Sequence, residues 1–265
     1  MNLDLTGRRA LVTGSTGGIG YAIAEALAEL GATVAVNGRT PARVEEAIGR
    51  LSGAMPAGRF EGAPGDVATA EGAEALVSGL GPVDILVNNA GIFEPKPFFE
   101  IPDGDWQRLF DVNVMSGVRL SRALTPGMVE RGWGRVVFIS SESAVNIPLE
   151  MIHYGMTKTA QLAVARGLAE TVAGSGVTVN SVLPGPTLSE GVETFLRQMA
   201  GDRPDADLEA LGKAFVAEHR PSSIIGRLAS VEEVASLVAY VCSPAASATT
   251  GAALRVEGGL LRSII

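Results

Sequence analysis

Tyr154 and Lys158 stand four residues apart in Tyr154-Gly155-Met156-Thr157-Lys158, a spacing that puts two side chains on one face of a helix. A phenol is a poor base at neutral pH, but a neighbouring ammonium lowers its pKa by about 1–3. The pair therefore predicts a tyrosine that exchanges a proton with an alcohol or a carbonyl. Thirteen residues upstream of the tyrosine, an apolar run ends in Ser140-Ser141. A hydroxyl there can donate to an oxygen on which negative charge develops as a carbonyl accepts a hydride. Either serine alone reads as a turn or cap residue; Ser141, Tyr154 and Lys158 together read as one site.

A second chemical signal lies near the N-terminus, in Thr13-Gly14-Ser15-Thr16-Gly17-Gly18-Ile19-Gly20. Glycines at 14, 18 and 20 permit a tight turn, close approach of backbone to a pyrophosphate, and close packing of helix on strand. Amides at the helix start, including those of Ser15, Thr16 and Ile19, could then hold the anion. No Lys-Ser or Lys-Thr follows the glycines, which excludes a Walker-type nucleotide site. The next strand ends in Asn37-Gly38-Arg39-Thr40, and the nearest acid downstream is Glu45. NAD-selective sites place an acid there for the ribose 2′-hydroxyl. Arg39 instead offers a planar cationic fork to a 2′-phosphate, so NADP(H) is preferred and NAD(H) remains possible.

The elements that must position these residues are legible from periodicity. Strand-like runs at Arg9–Gly14, Thr33–Gly38, Arg59–Asp66, Val83–Gly91, Arg135–Ser141, Val177–Leu183 and Ala253–Glu257 alternate with helix candidates near 18–30, 41–52, 69–79, 104–131, 154–173 and 231–242. Several runs are continuously apolar, as strands covered on both faces require. The rhythm predicts an α/β protein, a single doubly wound Rossmann-type domain over 1–265 with a seven-stranded parallel sheet. One stretch interrupts it, at about 186–221. There, two amphipathic segments (Val192, Phe195, Leu196, Met199 and Leu208, Leu211, Phe215, Val216) flank the polar Gly201-Asp202-Arg203-Pro204-Asp205. Falling just after a strand end, it is expected to form a helical substrate lid.

Bulk properties narrow the partners. A net charge of −8 among 265 residues argues against nucleic acid or an anionic membrane. No apolar run reaches the ~18 residues that span a bilayer, and no secretory signal is visible, so the expected location is cytoplasmic. The single cysteine, Cys242, has no partners for a disulfide or a metal and is expected to be a small core residue; no metal site is expected.

In order and spacing these motifs resemble the short-chain dehydrogenases/reductases, over residues 5 to 259. Thr13 to Gly20 matches the family's glycine motif. Asn88-Asn89-Ala90-Gly91 matches the motif that borders the adenine side, and Asp66-Val67 the acidic position near the adenine. Asn113 in Asp111-Val112-Asn113-Val114 matches the active-site asparagine. Ser141, rather than Ser140, matches the serine, Tyr154 and Lys158 the tyrosine and lysine, and Pro184-Gly185 the motif after strand six. The resemblance implies that Tyr154 is the general acid/base and that Lys158 tunes it while binding the nicotinamide ribose. Ser141 would polarise the substrate oxygen, Asn113 hold a water that relays protons towards Lys158, and Thr187 meet the nicotinamide carboxamide. Gly17 stands where many NADP-dependent members carry a basic residue, which leaves Arg39 as the discriminator.

The expected substrate is a small-molecule carbonyl or secondary alcohol with some hydrophobic body, bounded by Phe93, Ser143, Val145, His153, Pro186, Leu188 and lid residues such as Phe195. His153 is expected to face away, since helix neighbours diverge. Ile225-Gly226-Arg227-Leu228 and Glu232-Glu233-Val234-Ala235 also resemble 3-oxoacyl-carrier-protein reductases. Segment Ala169 to Gly176 nevertheless lacks the basic residues that would meet an acidic carrier, leaving Arg131 and Arg166 as possible contributors. A dinucleotide-binding regulatory protein without turnover is the alternative from another class. The apolar tail Leu260 to Ile265 and the family's habit predict a homo-oligomer, a tetramer.

Overall fold

The computed structural model describes residues 1–200 and 207–264. Its first half runs β1 (Arg9–Val12), α1 (Gly18–Glu29), β2 (Thr33–Gly38), α2 (Pro41–Ala54), β3 (Arg59–Pro64), α3 (Ala70–Gly79) and β4 (Ile85–Asn88). Next come α4 (Asp103–Phe110), α5 (Ser116–Glu130), β5 (Gly134–Ile139), α6 (Ile152–Thr171) and β6 (Val177–Pro184). The chain closes with β7 (Thr187–Leu188), α7 (Glu190–Ala200), α8 (Leu208–His219), β8 (Ala229–Ser230), α9 (Val231–Cys242) and β9 (Ala253–Val256).

Seven strands form one parallel sheet in the order β3-β2-β1-β4-β5-β6-β9. Residues alternate between its faces. Ala10 and Val12 join a core with Ile23 and Leu27 of α1 and Val234, Val238 and Val241 of α9. Leu11 faces the other way, into a core with Leu76 of α3, Leu120 and Met128 of α5 and Ala165 of α6. Cover on both faces is why these strands read as unbroken apolar runs. Cys242 is fully buried in the first core, and burial pushes its thiol up to about 12.

The strand order reverses between β1 and β4, so a crevice opens beyond their carboxyl ends. Several strands end earlier than their sequence runs, because the chain turns at Thr13-Gly14 and leaves the sheet at Asn89-Ala90-Gly91, at the crevice. The single helix expected near 104–131 is also interrupted. Between α4 and α5 the chain widens into a π-turn at Asp111–Met115, with buried Asn113 at its centre. Such turns often mark functional positions.

The described residues of segment 186–221 form β7 and the helices α7 and α8. Its start is tied to the chain beyond it by the parallel pair β7–β8, and the Ala229 amide donates to the Pro186 carbonyl at 2.9 Å. Leu196, Val216 and Leu228 are buried in a small core of their own, packed by Leu188, Val192, Leu208 and Phe215. The expected polar turn Gly201 to Asp205 lies outside the described residues.

Gly20 is where the fold meets the crevice most tightly. A Cβ there would lie 2.4 Å from the Gly14 carbonyl oxygen and 2.5 Å from Asn89 Nδ2. Gly20→Ala should lower stability by about 1–3 kcal/mol in denaturant titration. Gly49→Ala, in α2 with nothing within 4 Å, should be neutral or stabilising. Equal unfolding midpoints for the two variants would contradict this packing account.

Candidate active site

The glycine turn is held by a knot of side chains that face inward. Thr13 Oγ1 donates to the Val87 carbonyl at 3.3 Å and accepts from the amides of Asn89 and Ala90, both at 2.9 Å. Asn89 Nδ2 donates back to the carbonyls of Thr13 (2.8 Å) and Gly14 (3.2 Å). Ser15 Oγ donates to the Val12 carbonyl at 2.7 Å and accepts from the Asn37 amide at 2.9 Å. Gly14 and Gly18 take φ of +61° and +55°, conformations that favour glycine. With the hydroxyls of Thr13 and Ser15 committed inward, backbone faces the crevice. Gly17 begins α1 without any side-chain cap, which leaves the first amides of that helix open to an anion. The cradle therefore fits a pyrophosphate.

Asn37, one of the residues whose role the sequence did not reveal, organises this turn. Its Oδ1 accepts from the Gly14 amide at 3.1 Å, and its Nδ2 donates to the carbonyls of Ala63 (2.8 Å) and Gly65 (3.2 Å). Its signal was a polar residue near the end of an apolar strand. Arg50 was also missed: it donates to the Thr16 carbonyl at 2.7 Å and approaches Glu190 of α7 at 3.6 Å. Arg39 is exposed at the end of β2, and among the described residues no carboxylate pairs with it. Asp66 is exposed and accepts from the Ala68 amide at 3.0 Å, while Val67 is buried beside it after β3.

A cavity of about 530 Å³ runs from Gly17–Gly20 past Gly91, Ser141, Tyr154 and Lys158 to α7 and α8. Pro184, Gly185 and Thr187 form another wall, and the Thr187 hydroxyl donates to the Gly185 carbonyl at 2.9 Å. Ser140 and Ser141 have separate tasks. Both border the cavity, but Ser140 Oγ donates to the Lys158 carbonyl at 2.9 Å, whereas Ser141 Oγ accepts from the Ser143 amide at 3.1 Å. Lys158 Nζ donates to the Ile139 carbonyl at 2.9 Å and lies 5.5 Å from the centre of the Tyr154 ring. Asn113 Oδ1 accepts from the Ile92 amide at 2.8 Å, and its Nδ2 donates to the Ile92 carbonyl and to Thr157 Oγ1.

The electrostatics correct the simple expectation that Lys158 lowers the Tyr154 pKa. Burial pushes the phenol up to about 12, the Ser141 hydroxyl opposes that rise, and the Glu142 carboxylate adds to it. Burial likewise brings the Lys158 ammonium down to about 8. Loss of solvation outweighs pairing because the ammonium is turned to a backbone carbonyl rather than to the phenol oxygen.

Other expected pocket residues are corrected as well. Phe93, Ser143, Pro186 and Phe195 line the cavity, and Phe93 meets Tyr154 edge to face at 6.2 Å. His153 faces away from the cavity, as expected: it is fully buried against Trp106 of α4, with neither ring nitrogen hydrogen-bonded. Its neighbour on the helix faces the cavity, so this side chain must point the other way. Leu188 is drawn into the small core of α7 and α8, and Val145 borders a separate hollow near the C-terminal tail. Sequence reasoning missed Glu142, Glu150, His219 and Arg220, which line the main cavity. Only the adjacency of Glu142 to Ser141 could have signalled any of them.

Residues 8–200 match the family model for short chain dehydrogenase. This chain belongs to the short-chain dehydrogenase/reductase family. It is 50% identical to the uncharacterized oxidoreductase YvaG of Bacillus subtilis, over all of both chains. It also superposes on L-sorbose reductase from Gluconobacter frateurii, complexed with NADPH and L-sorbose, with a TM-score of 0.92 and 34% identity over all of both chains. A 7α-hydroxysteroid dehydrogenase complexed with NADH gives 0.83 and 29%, covering 100% of this chain and 98% of that one. The protein is an NAD(P)-dependent short-chain dehydrogenase/reductase and binds a nicotinamide dinucleotide. Among its described residues no helix is long and apolar enough to cross a membrane.

The buried Lys158 ammonium costs folding stability. Lys158 holds its proton less tightly when folded than when unfolded, so the cost is complete below about pH 8 and fades towards the ordinary lysine value of 10.5. Lys158→Met should therefore stabilise the cofactor-free protein at neutral pH by about 1–3 kcal/mol while abolishing activity. The gain should shrink as pH rises from 8 to 10.5 in thermal melts. A variant destabilised at neutral pH would refute this reading.

Proposed function

We propose that the enzyme couples hydride transfer between NADP(H) and a small-molecule carbonyl or secondary alcohol to proton transfer by Tyr154. The observation that carries the proposal is the single cavity joining the uncapped start of α1 to Tyr154, Ser141 and Lys158. The bound nicotinamide supplies or accepts the hydride. The Tyr154 phenol is protonated at neutral pH, and burial raises its pKa further, so it is ready to donate to a substrate oxygen on which charge develops. Ser141 Oγ donates to the same oxygen and shares that charge. The Lys158 ammonium would hold the nicotinamide ribose and, 5.5 Å from the centre of the Tyr154 ring, would act on a phenolate at a distance rather than by direct pairing.

Asn113 would hold a water that relays protons towards Lys158. The two side chains flank Gly91, where a Cβ would lie 3.4 Å from Lys158 Nζ and 3.5 Å from Asn113 Oδ1. Thr187 would meet the nicotinamide carboxamide, Asp66 and Val67 would border the adenine, and exposed Arg39 would bind a 2′-phosphate. A small molecule is favoured over a carrier-bound acyl chain by the positions of Arg131 and Arg166. Arg131 donates to the Val83 carbonyl before β4 and Arg166 pairs with Glu170 and approaches Gly251 before β9. Both therefore serve the amino ends of strands, opposite the cavity.

Tyr154→Phe should lower turnover by about 10²–10⁴-fold and leave NADPH affinity unchanged, by steady-state kinetics and fluorescence titration. Undiminished turnover would remove Tyr154 from the mechanism, and absence of turnover in the parent enzyme with a broad carbonyl panel would favour a regulatory role. For the cofactor, NADPH should bind more tightly than NADH, and Arg39→Ala should weaken NADPH by about tenfold while sparing NADH. Tighter NADH binding by the parent enzyme would overturn the preference.

A further inference from the structure

The cavity wall beyond Tyr154 is mostly apolar, with Met151, Val192, Phe195 and Phe215 on it. Into this wall projects an ion pair. Arg220, just past the end of α8, donates from Nε to Glu142 Oε1 at 3.0 Å, with side chains 11% and 4% exposed. Arg220 Nη1 also reaches the His219 carbonyl at 2.8 Å and Glu150 Oε1 at 3.5 Å. Glu142 Oε2 is buried with no partner at hydrogen-bond geometry, although the Ser143 hydroxyl lies close enough to oppose the rise that burial gives the carboxyl. Glu142 follows Ser141 directly and sits close enough to Tyr154 to influence its phenol.

A buried ion pair is a poor way to stabilise a fold, because desolvation offsets the attraction. An unpaired carboxylate oxygen adds a further penalty. For a wholly apolar substrate, hydrophobic residues would serve better at both positions. The arrangement fits a ligand that completes it. Carboxylate Oε2 can only accept, so the ligand must bring a donor; the guanidinium can only donate, so the ligand must also bring an acceptor. A hydroxyl group does both, and adjacent hydroxyls can bridge the two side chains. An ammonium would satisfy Glu142 but not Arg220. A carboxylate tail would meet two glutamates against one arginine and be repelled.

We propose that Glu142, oriented by Arg220, reads substrate hydroxyls, and that the substrate is a neutral polyhydroxylated ketone or aldehyde, or the corresponding polyol. This rests on the hydride-transfer reading of the same site. It assigns Glu142 to substrate specificity and Arg220 to positioning.

The test is kinetic, with the full-length enzyme and its preferred cofactor. Fructose, sorbose and tagatose represent neutral ketoses, 5-ketogluconate a sugar acid, and cyclohexanone an apolar ketone. The parent enzyme should show kcat/KM for at least one ketose about tenfold or more above the other two classes. Glu142→Leu should lower the ratio of kcat/KM for that ketose to kcat/KM for cyclohexanone by about 10²-fold or more, since a site built to bind a hydroxyl discriminates strongly. Glu142→Gln, which keeps volume and one acceptor, should lower the same ratio less, and NADPH titration of both variants reports whether they fold. If Glu142→Leu does not fold, the fall in ratio for Glu142→Gln and the substrate order of the parent enzyme decide the matter. Preference of the parent enzyme for cyclohexanone or 5-ketogluconate, or an unchanged ratio in a folded variant, would overturn the assignment and leave the reaction standing. If the parent enzyme turned over no carbonyl or alcohol at all, the hydride-transfer reading would fall with it.

Discussion

The position of Lys158 is fixed twice at the end of β5, and the geometry of the site depends on that attachment. Its carbonyl accepts from Ser140 Oγ, and its ammonium donates to the Ile139 carbonyl, both at 2.9 Å. The next residue, Thr159, shares its hydroxyl proton between the carbonyls of Ala144 (2.8 Å) and Gly155 (3.0 Å). These bonds clamp the beginning of α6 against the strand end that carries Ser141. The Ser141–Tyr154 relation is thus set by two rigid elements rather than by a loop, which is what a preorganised proton-transfer site requires. A slip of α6 by one residue would turn Tyr154 about 100° away from the serine.

The same construction concentrates unfavourable features where the chemistry lies. The Lys158 ammonium, the Glu142 carboxylate and the Tyr154 phenol all lose solvation, and α1 starts without a cap. Several helices elsewhere are capped by side chains: Thr40 and Thr69 cap α2 and α3, and Ser230 with Glu233 forms a capping box on α9. Stability comes from the two apolar layers on the sheet, and it tolerates a destabilised edge along the carboxyl ends of the strands. His153 is a separate case, with both nitrogens unpaired beside Trp106, and the cavity does not explain it.

How much of this was legible in the sequence follows from the range of each interaction. The sheet strands could be read because burial on both faces makes them apolar throughout, and Tyr154 with Lys158 because a four-residue spacing is local. The π-turn at Asp111–Met115 left no mark, since one extra residue in a helix barely disturbs an amphipathic stripe. The inverted electrostatics of Tyr154 were hidden because they depend on where the lysine ammonium points and on how much water reaches the phenol. Glu142 and Arg220 are 78 residues apart, and their meeting depends on how α8 folds back over the cavity. Arg50 reaches the glycine turn from a helix that sequence order places beyond β2.

Each of these two arginines offsets a carboxylate beside the cavity, and Arg50 bears on how an acidic protein could bind an anion. With a net charge of −8 the global field opposes a dinucleotide, and Glu190 adds a carboxylate beside the cradle: a Cβ on Gly17 would lie 3.0 Å from its Oε2. Arg50 stands between, in contact with Glu190 and with the carbonyl of Thr16. Both partners are well exposed, so the pair adds little to stability. Its effect is local, cancelling a negative charge within a few ångströms of the anion while screening removes the distant ones. At the other end of the helix pair Arg220 does the same for Glu142. Because α7 and α8 share the core of Leu196, Val216 and Leu228, one small unit carries Glu190 to the phosphate end of the cavity and Arg220 to the substrate end. Charge compensation at the two ends is therefore a property of one packing arrangement, and the helix pair must seat correctly for either half of the cavity to accept its ligand.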